Sequence, residues 1–163
     1  MPEPGKHALL EVAERALDSI GAWKEPSAGG VVRGYYASPV AQWAVVAHTE
    51  EAGWLVFYSE FPLPVPSDRL PAVAEFVMRA NYGLVIGNFE LDLDDGRIRY
   101  KASIDFGAMP PSQALADRIL GWNVGTMARY LPGIMVVVAG ADPRSAVSEI
   151  ESDSWTPRGS AAP

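Results

Sequence analysis

The chain has 163 residues, 13 basic against 20 acidic side chains, a formal net charge of -7 and a pI near 4.8. That balance repels a polyphosphate backbone, which basic proteins attract through counterion release, so no nucleic-acid partner is expected. Cysteine is absent, which removes disulfide frameworks, thiolate metal sites and cysteine nucleophiles. The length suits one domain that buries about 68–70% of its unfolded surface.

The N-terminus carries Glu3, Glu11 and Glu14 and lacks the basic-then-apolar order of a secretory signal. Apolar runs such as "GIMVVVAGA" fall short of the roughly 20 residues that span a bilayer. A soluble, cytoplasmic protein without a membrane partner is expected. Leu9, Val12, Ala13, Ala16, Leu17 and Ile20 recur at helical spacing, opposite Glu11, Glu14, Arg15 and Asp18, and Gly21 closes this first helix. "KEPSAGG" reads as a loop and "VVRGYYASP" as a short strand. "QWAVVAHT" and "WLVFYSEF", joined by "EEAG", read as a hairpin. Trp43 and Val45 fall on one side and Ala44 and Val46 on the other, so both faces are expected to be covered.

Alternating prolines in "PLPVPSD" favour an extended backbone that a Pro-binding domain could read, but a rigid strand-to-helix connection is the simpler reading. Ser67 or Asp68 is placed to cap the next helix, with Pro71 in its first turn and Leu70, Val73, Ala74 and Val77 as its apolar stripe. It ends at "ANYG", where Asn81 and Gly83 suit left-handed conformations.

In "FELDLDDGRIRYKA", a type I′ turn at Asp95-Gly96 pairs Asp94 with Arg97, Asp92 with Arg99 and Glu90 with Lys101. The other face then carries Leu93 with Ile98, Leu91 with Tyr100 and Phe89 with Ala102. A calcium loop starting at Asp92 needs Gly at its sixth position and Glu at its twelfth, where the chain has Arg97 and Ser103. Ser112 caps a long helix with Leu115, Ile119, Leu120, Val124, Met127 and Leu131 as its stripe, which Pro132 should kink or interrupt. Asp142-Pro143 opens a last short helix. The expected layout is one α+β domain over 1–151 and a disordered tail over 152–163.

His48 lies near Glu50 and Glu51, a pattern that a metal or an acid/base pair could use but that a surface histidine explains as well. No nucleophile elbow, phosphate loop or dinucleotide fingerprint is present. The reading is therefore a non-enzyme without catalytic residues, cofactor or metal. Among five tryptophans, Trp43, Trp54 and Trp122 fall in predicted elements and read as core. Exposed together, they would mark a protein-binding surface. Trp155, in the tail, suits a linear contact with another chain. The candidate protein-binding residues are thus Trp155, Trp43 and Trp54.

The block "VAEFVMRANYGLVIGNFELDLDDGRIRYKASIDF", with "LPVPSDRLP" before it and "NVGTMARYLPGIMVVVAG" after it, resembles the YbjN-domain family of bacterial proteins over roughly Trp43 to Glu151. The resemblance implies a curved antiparallel sheet with helices packed against it, similar to type III secretion chaperones. It also implies a regulatory role in sensory transduction or the holding of another protein's unfolded segments, often as a homodimer. No catalytic residue belongs to the family pattern. A protein-binding module is the leading expectation. The competing ones are a small-molecule sensor or enzyme with a pocket between sheet and helices, and a structural subunit of a larger assembly.

Overall fold

The structure is a computed structural model that describes residues 4–50 and 53–152, with side chains from His7 onward. Its elements run α1 (Pro4–Ser19), β1 (Trp23–Lys24), β2 (Val31–Ala37), β3 (Gln42–Thr49), β4 (Trp54–Glu60), α2 (Leu70–Gly83), β5 (Asn88–Leu91), β6 (Ile98–Asp105), α3 (Gln113–Val138) and α4 (Pro143–Ser152). The expected α+β class holds. Six antiparallel strands form one sheet in the order β1-β2-β3-β4-β6-β5, and α1, α3 and α2 lie across β2 and β3, β4 and β6, and β5 respectively. No helix among the described residues is long and apolar enough to cross a membrane.

The core follows from strand alternation. Trp43, Val45 and Ala47 of β3, Leu55, Phe57 and Ser59 of β4, and Ile98, Tyr100 and Ala102 of β6 are buried in turn. They meet Leu9, Val12, Ala13, Ala16 and Leu17 of α1 and Leu120, Val124, Met127 and Leu131 of α3. The predicted stripes hold, except that Leu115 faces outward. At the end of α1 the Gly21 N–H donates to Asp18 O and the Ala22 N–H to Leu17 O, as the terminal Gly requires.

Four local expectations are corrected. α1, α2 and α3 pack on the sheet and α4 packs on α2 and α3, and alternate residues of β3 and β4 are buried, so these strands are covered on one face only. Val46 is nonetheless buried on the other face, where Arg33 and Tyr58 flank it in register. Neither Ser67 nor Asp68 caps α2, which instead follows a 3-10 turn at Ser67–Arg69. Asn81 and Gly83 remain helical, and no described residue other than glycine has positive φ. Pro132 does not interrupt α3, because the residues beyond it are held by packing: Gly133 lies so close to Ile150 and Phe76 that it has no room for a Cβ.

The hairpin register is corrected by two residues. Asn88 pairs with Lys101, Phe89 with Tyr100, Glu90 with Arg99 and Leu91 with Ile98. The loop is longer than the expected two-residue turn, closed by Asp92 N–H to Arg97 O and Gly96 N–H to Asp92 O, with Gly96 at φ +75 and Asp95 outside the left-handed region. The connection from β4 runs along the opposite edge of β6 from β5: Phe61 N–H donates to Ile98 O and Val65 N–H to Gly96 O. An even shift keeps every side chain on its predicted face.

Candidate functional site

One face of the sheet is left open by the helices. Trp23 and Tyr35 stand at one side with ring centroids 5.7 Å apart, Ala44, Val46, Val56 and Tyr58 occupy the middle, and Trp54 sits at the end of β4. Trp23 is 67% and Trp54 50% exposed. Burial of their rings against a partner would remove a large apolar area from water.

Five charged residues in the middle of this face, Arg33, Glu60, Glu90, Arg99 and Lys101, are paired with one another. Arg33 grips Glu60 with Nη1 at 2.8 Å and Nη2 at 3.4 Å, and this hydrogen bond raises the Arg33 pKa against the effect of burial. The Arg99 guanidinium lies 4.3 Å from the Tyr58 ring centroid and donates through Nε to Glu90 at 2.6 Å, while Lys101 donates to the other Glu90 oxygen. Burial pushes the Glu90 carboxyl up, but the bonds from Lys101 and Arg99 outweigh it and hold it below the usual carboxylate range. Tyr35 donates to Glu25 at 2.8 Å, which raises its phenol pKa. The expected pairs of Asp92 with Arg99 and Asp94 with Arg97 are not the ones formed. The Asp92 Oδ1 accepts from the Asp94 N–H at 2.8 Å, and Arg97 pairs with Asp95 at 3.0 Å.

Two depressions continue the face toward the hairpin, one of ≈ 590 Å³ between Pro62–Pro64 and the hairpin, with Arg33, Glu60, Arg97 and Arg99 in its wall, and one of ≈ 440 Å³ beside Tyr35 and Gln42. A separate, more apolar pocket of ≈ 340 Å³ lies on the helical side, between Gly83–Ile86 and α3. Tyr130 lines it, its pKa pushed up to about 12 by burial and by the nearby Glu151 carboxylate.

His48 lies 3.2 Å from Glu50 on the open face, and among the described residues no three potential metal ligands converge. The predicted protein-binding tryptophans separate. Trp54 lies on the open face. Trp43 is corrected to the core at 2% exposure, because its inward position lets Nε1–H donate to the buried Ser59 Oγ at 2.9 Å. Trp155 falls outside the described residues. Sequence reasoning misses Trp23, since a two-residue strand shows no alternation.

The profile of a family called YbjN, described as "Putative bacterial sensory transduction regulator", matches residues 40–134. The chain belongs to the YbjN family. The YbjN match runs from just before β3 into α3, and so takes in the centre of the open face and the corrected hairpin. No curated protein matches the chain. Among solved structures it is similar to the "Crystal structure of YbjN, a putative transcription regulator from E. coli", with 15% identity, a TM-score of 0.49, 80% of this chain covered and 89% of that one.

Proposed function

We propose that this YbjN-family chain is a non-enzymatic regulatory module that binds a protein partner through the open face of its sheet. One observation carries the reading: Trp23, Tyr35, Val46, Trp54, Val56 and Tyr58 share a face over which no described helix packs. Aromatic side chains that retain a polar tip are the residue types that dominate binding energy at protein interfaces. Because Arg33, Arg99 and Lys101 are already matched by Glu60 and Glu90, the face offers paired charge, which favours a mixed, largely neutral partner surface over a strongly charged one. The same pairing speaks against the ≈ 590 Å³ cleft as a small-anion site.

Capture from the native host's lysate, run in parallel with wild type, Val56→Lys and Val85→Lys, tests the proposal. Val56 lies on the open face and Val85 on the helical side. A stoichiometric protein retained by wild type and Val85→Lys but lost with Val56→Lys supports it, given unchanged circular dichroism. Equal retention by all three overturns the placement of the site. Sedimentation of the purified chain separates a foreign partner from a second copy.

A further inference from the structure

The β1–β2 end of the open face joins two aromatic rings to a carboxylate. Trp23 pairs with Tyr35 in register, their ring centroids 5.7 Å apart at an interplanar angle of 33°. The ladder continues one step, because the Glu25 N–H donates to Arg33 O at 2.9 Å, so alternation puts Glu25 on the same face as Trp23. One Glu25 oxygen accepts from the Tyr35 hydroxyl at 2.8 Å. No cation among the described residues forms an ion pair with this carboxylate. Lys24 is drawn to the helical side by Asp18 at 2.7 Å and by Glu14 O at 3.2 Å, and Arg33 is held by both oxygens of Glu60. The centre of the same face shows what such a set can hold. There the Arg99 guanidinium lies 4.3 Å from the Tyr58 centroid while its Nε donates to Glu90, so a ring and a carboxylate share one cation.

We propose that Trp23, Tyr35 and Glu25 receive a cationic side chain, arginine in preference to lysine, from the protein that binds the open face. The inference rests on that reading of the face and adds the partner's chemistry at one end of it. The Trp23 ring is 67% exposed, and indole is the aromatic side chain that attracts a cation best. Two rings alone would accept an apolar side chain equally well. The Glu25 carboxylate decides for a cation, because an apolar group laid over it would strip its water and return no charge. A planar guanidinium stacks on a ring and donates to a carboxylate at the same time, which a compact ammonium does less well. One such residue agrees with a partner surface that is otherwise mixed in charge.

The test is a ¹H–¹⁵N titration of the full chain with N-acetylarginine amide, its uncharged analogue N-acetylcitrulline amide, and N-acetylnorleucine amide. At equal concentration the arginine probe should shift the Trp23 indole and the Glu25 and Tyr35 amides about two- to fivefold more than either neutral probe. Glu25→Gln, which can still accept from Tyr35, should reduce the arginine response to that of citrulline, and Trp23→Ala should remove it. Equal shifts with the three probes, or none with arginine, overturn the proposal. Arginine-induced shifts as large at Asp92 and Asp94 as at Glu25 also overturn it, because general attraction to an acidic chain would then account for them. The titration contains no partner, so its failure removes the arginine site alone, whereas equal retention of Val56→Lys in the capture removes the open face as the partner's site.

Discussion

Ser59 Oγ donates a 2.6 Å hydrogen bond to Asn123 Oδ1, joining the C-terminal end of β4 to the middle of α3 inside the core. Asn123 has no exposed surface, and its Nδ2 donates to the carbonyls of Phe57 and Tyr100, each at 3.0 Å. Trp43 Nε1–H completes the chain by donating to Ser59. Every buried side-chain polar atom among the described residues has a partner, which is the condition for such a network to stabilise a fold. Asn123→Ala should therefore cost about 2–4 kcal/mol, from unmet hydrogen bonds plus a cavity. Urea unfolding monitored by tryptophan fluorescence measures it, and a loss under about 0.5 kcal/mol would show that the amide contributes nothing net.

Asn81 serves the sheet from a helix. Its Oδ1 accepts from the Phe89 N–H at 2.7 Å and its Nδ2 donates to Phe89 O at 3.0 Å, so the side-chain amide stands in for a neighbouring strand along the free edge of β5. An uncovered edge is open to pairing with another chain. Asn81→Ala should lower the hydrogen-exchange protection of the Phe89 amide by roughly tenfold, the equivalent of one hydrogen bond, and raise self-association at high concentration. Unchanged exchange at Phe89 would mean that the β5–β6 ladder holds this edge unaided.

The helix stripes, the strand order within each hairpin and the caps at Ser112 and Asp142 were legible because they depend on neighbours in sequence. Asp142 Oδ2 accepts from both the backbone N–H and the hydroxyl of Ser145, three residues on. The hairpin register was not legible. Pairing Glu90 with Lys101 or with Arg99 gives the same two faces, so alternation alone does not choose between them. The open face escaped for another reason. Ala44, Val46 and Val56 carry an apolar pattern identical to that of a doubly covered strand, and only the tertiary placement of all helices on one side separates the two cases. Trp43 and Trp54 look equivalent in sequence, yet the groups that bury Trp43, Ser59 and behind it Asn123, come from β4 and from α3 much further along the chain.

Glycine substitutions should divide by position. At Gly96, φ is +75 and an added Cβ would stand 2.4 Å from Val65 O, a rigid backbone atom. Gly96→Ala is expected to cost about 2–4 kcal/mol from strain and overlap together. Gly121 and Gly125 of α3 have nothing within 4 Å of where an added methyl group would stand. Gly121→Ala and Gly125→Ala should each add about 0.5–1 kcal/mol by restoring helix propensity. Thermal unfolding of the three variants decides it, and destabilisation by Gly121→Ala would point to a contact that this face makes elsewhere.

Glu90 predicts an acid limb. Its folded-state pKa is depressed by Lys101 and Arg99 despite burial, so its contribution is complete above the unfolded value of about 4.3 and is lost as pH falls through the lower folded value. Glu90→Gln should flatten the fall in stability below about pH 4.3 while lowering stability at neutral pH. Urea midpoints taken from neutral pH down into the acid range measure the difference, and parallel curves for the two proteins would remove Glu90 as a source of acid sensitivity.

Tyr130 predicts the opposite limb. Burial first, and then the Glu151 carboxylate, raise its pKa to about 12, so the folded state favours the neutral phenol. That preference is fully present below the unfolded value of about 10 and disappears as pH climbs from there to about 12. Tyr100 is also raised, by burial, and sharpens the same decline. Tyr130→Phe should therefore make stability less steep in pH above about 10 without abolishing the slope, and Tyr100→Phe added to it should flatten the limb further. Tyrosinate absorbance followed during alkaline titration provides the check. If Tyr130 ionises near its ordinary value of about 10 while the fold is intact, its hydroxyl is open to water and the contact with Glu151 does not hold α4 to the pocket rim.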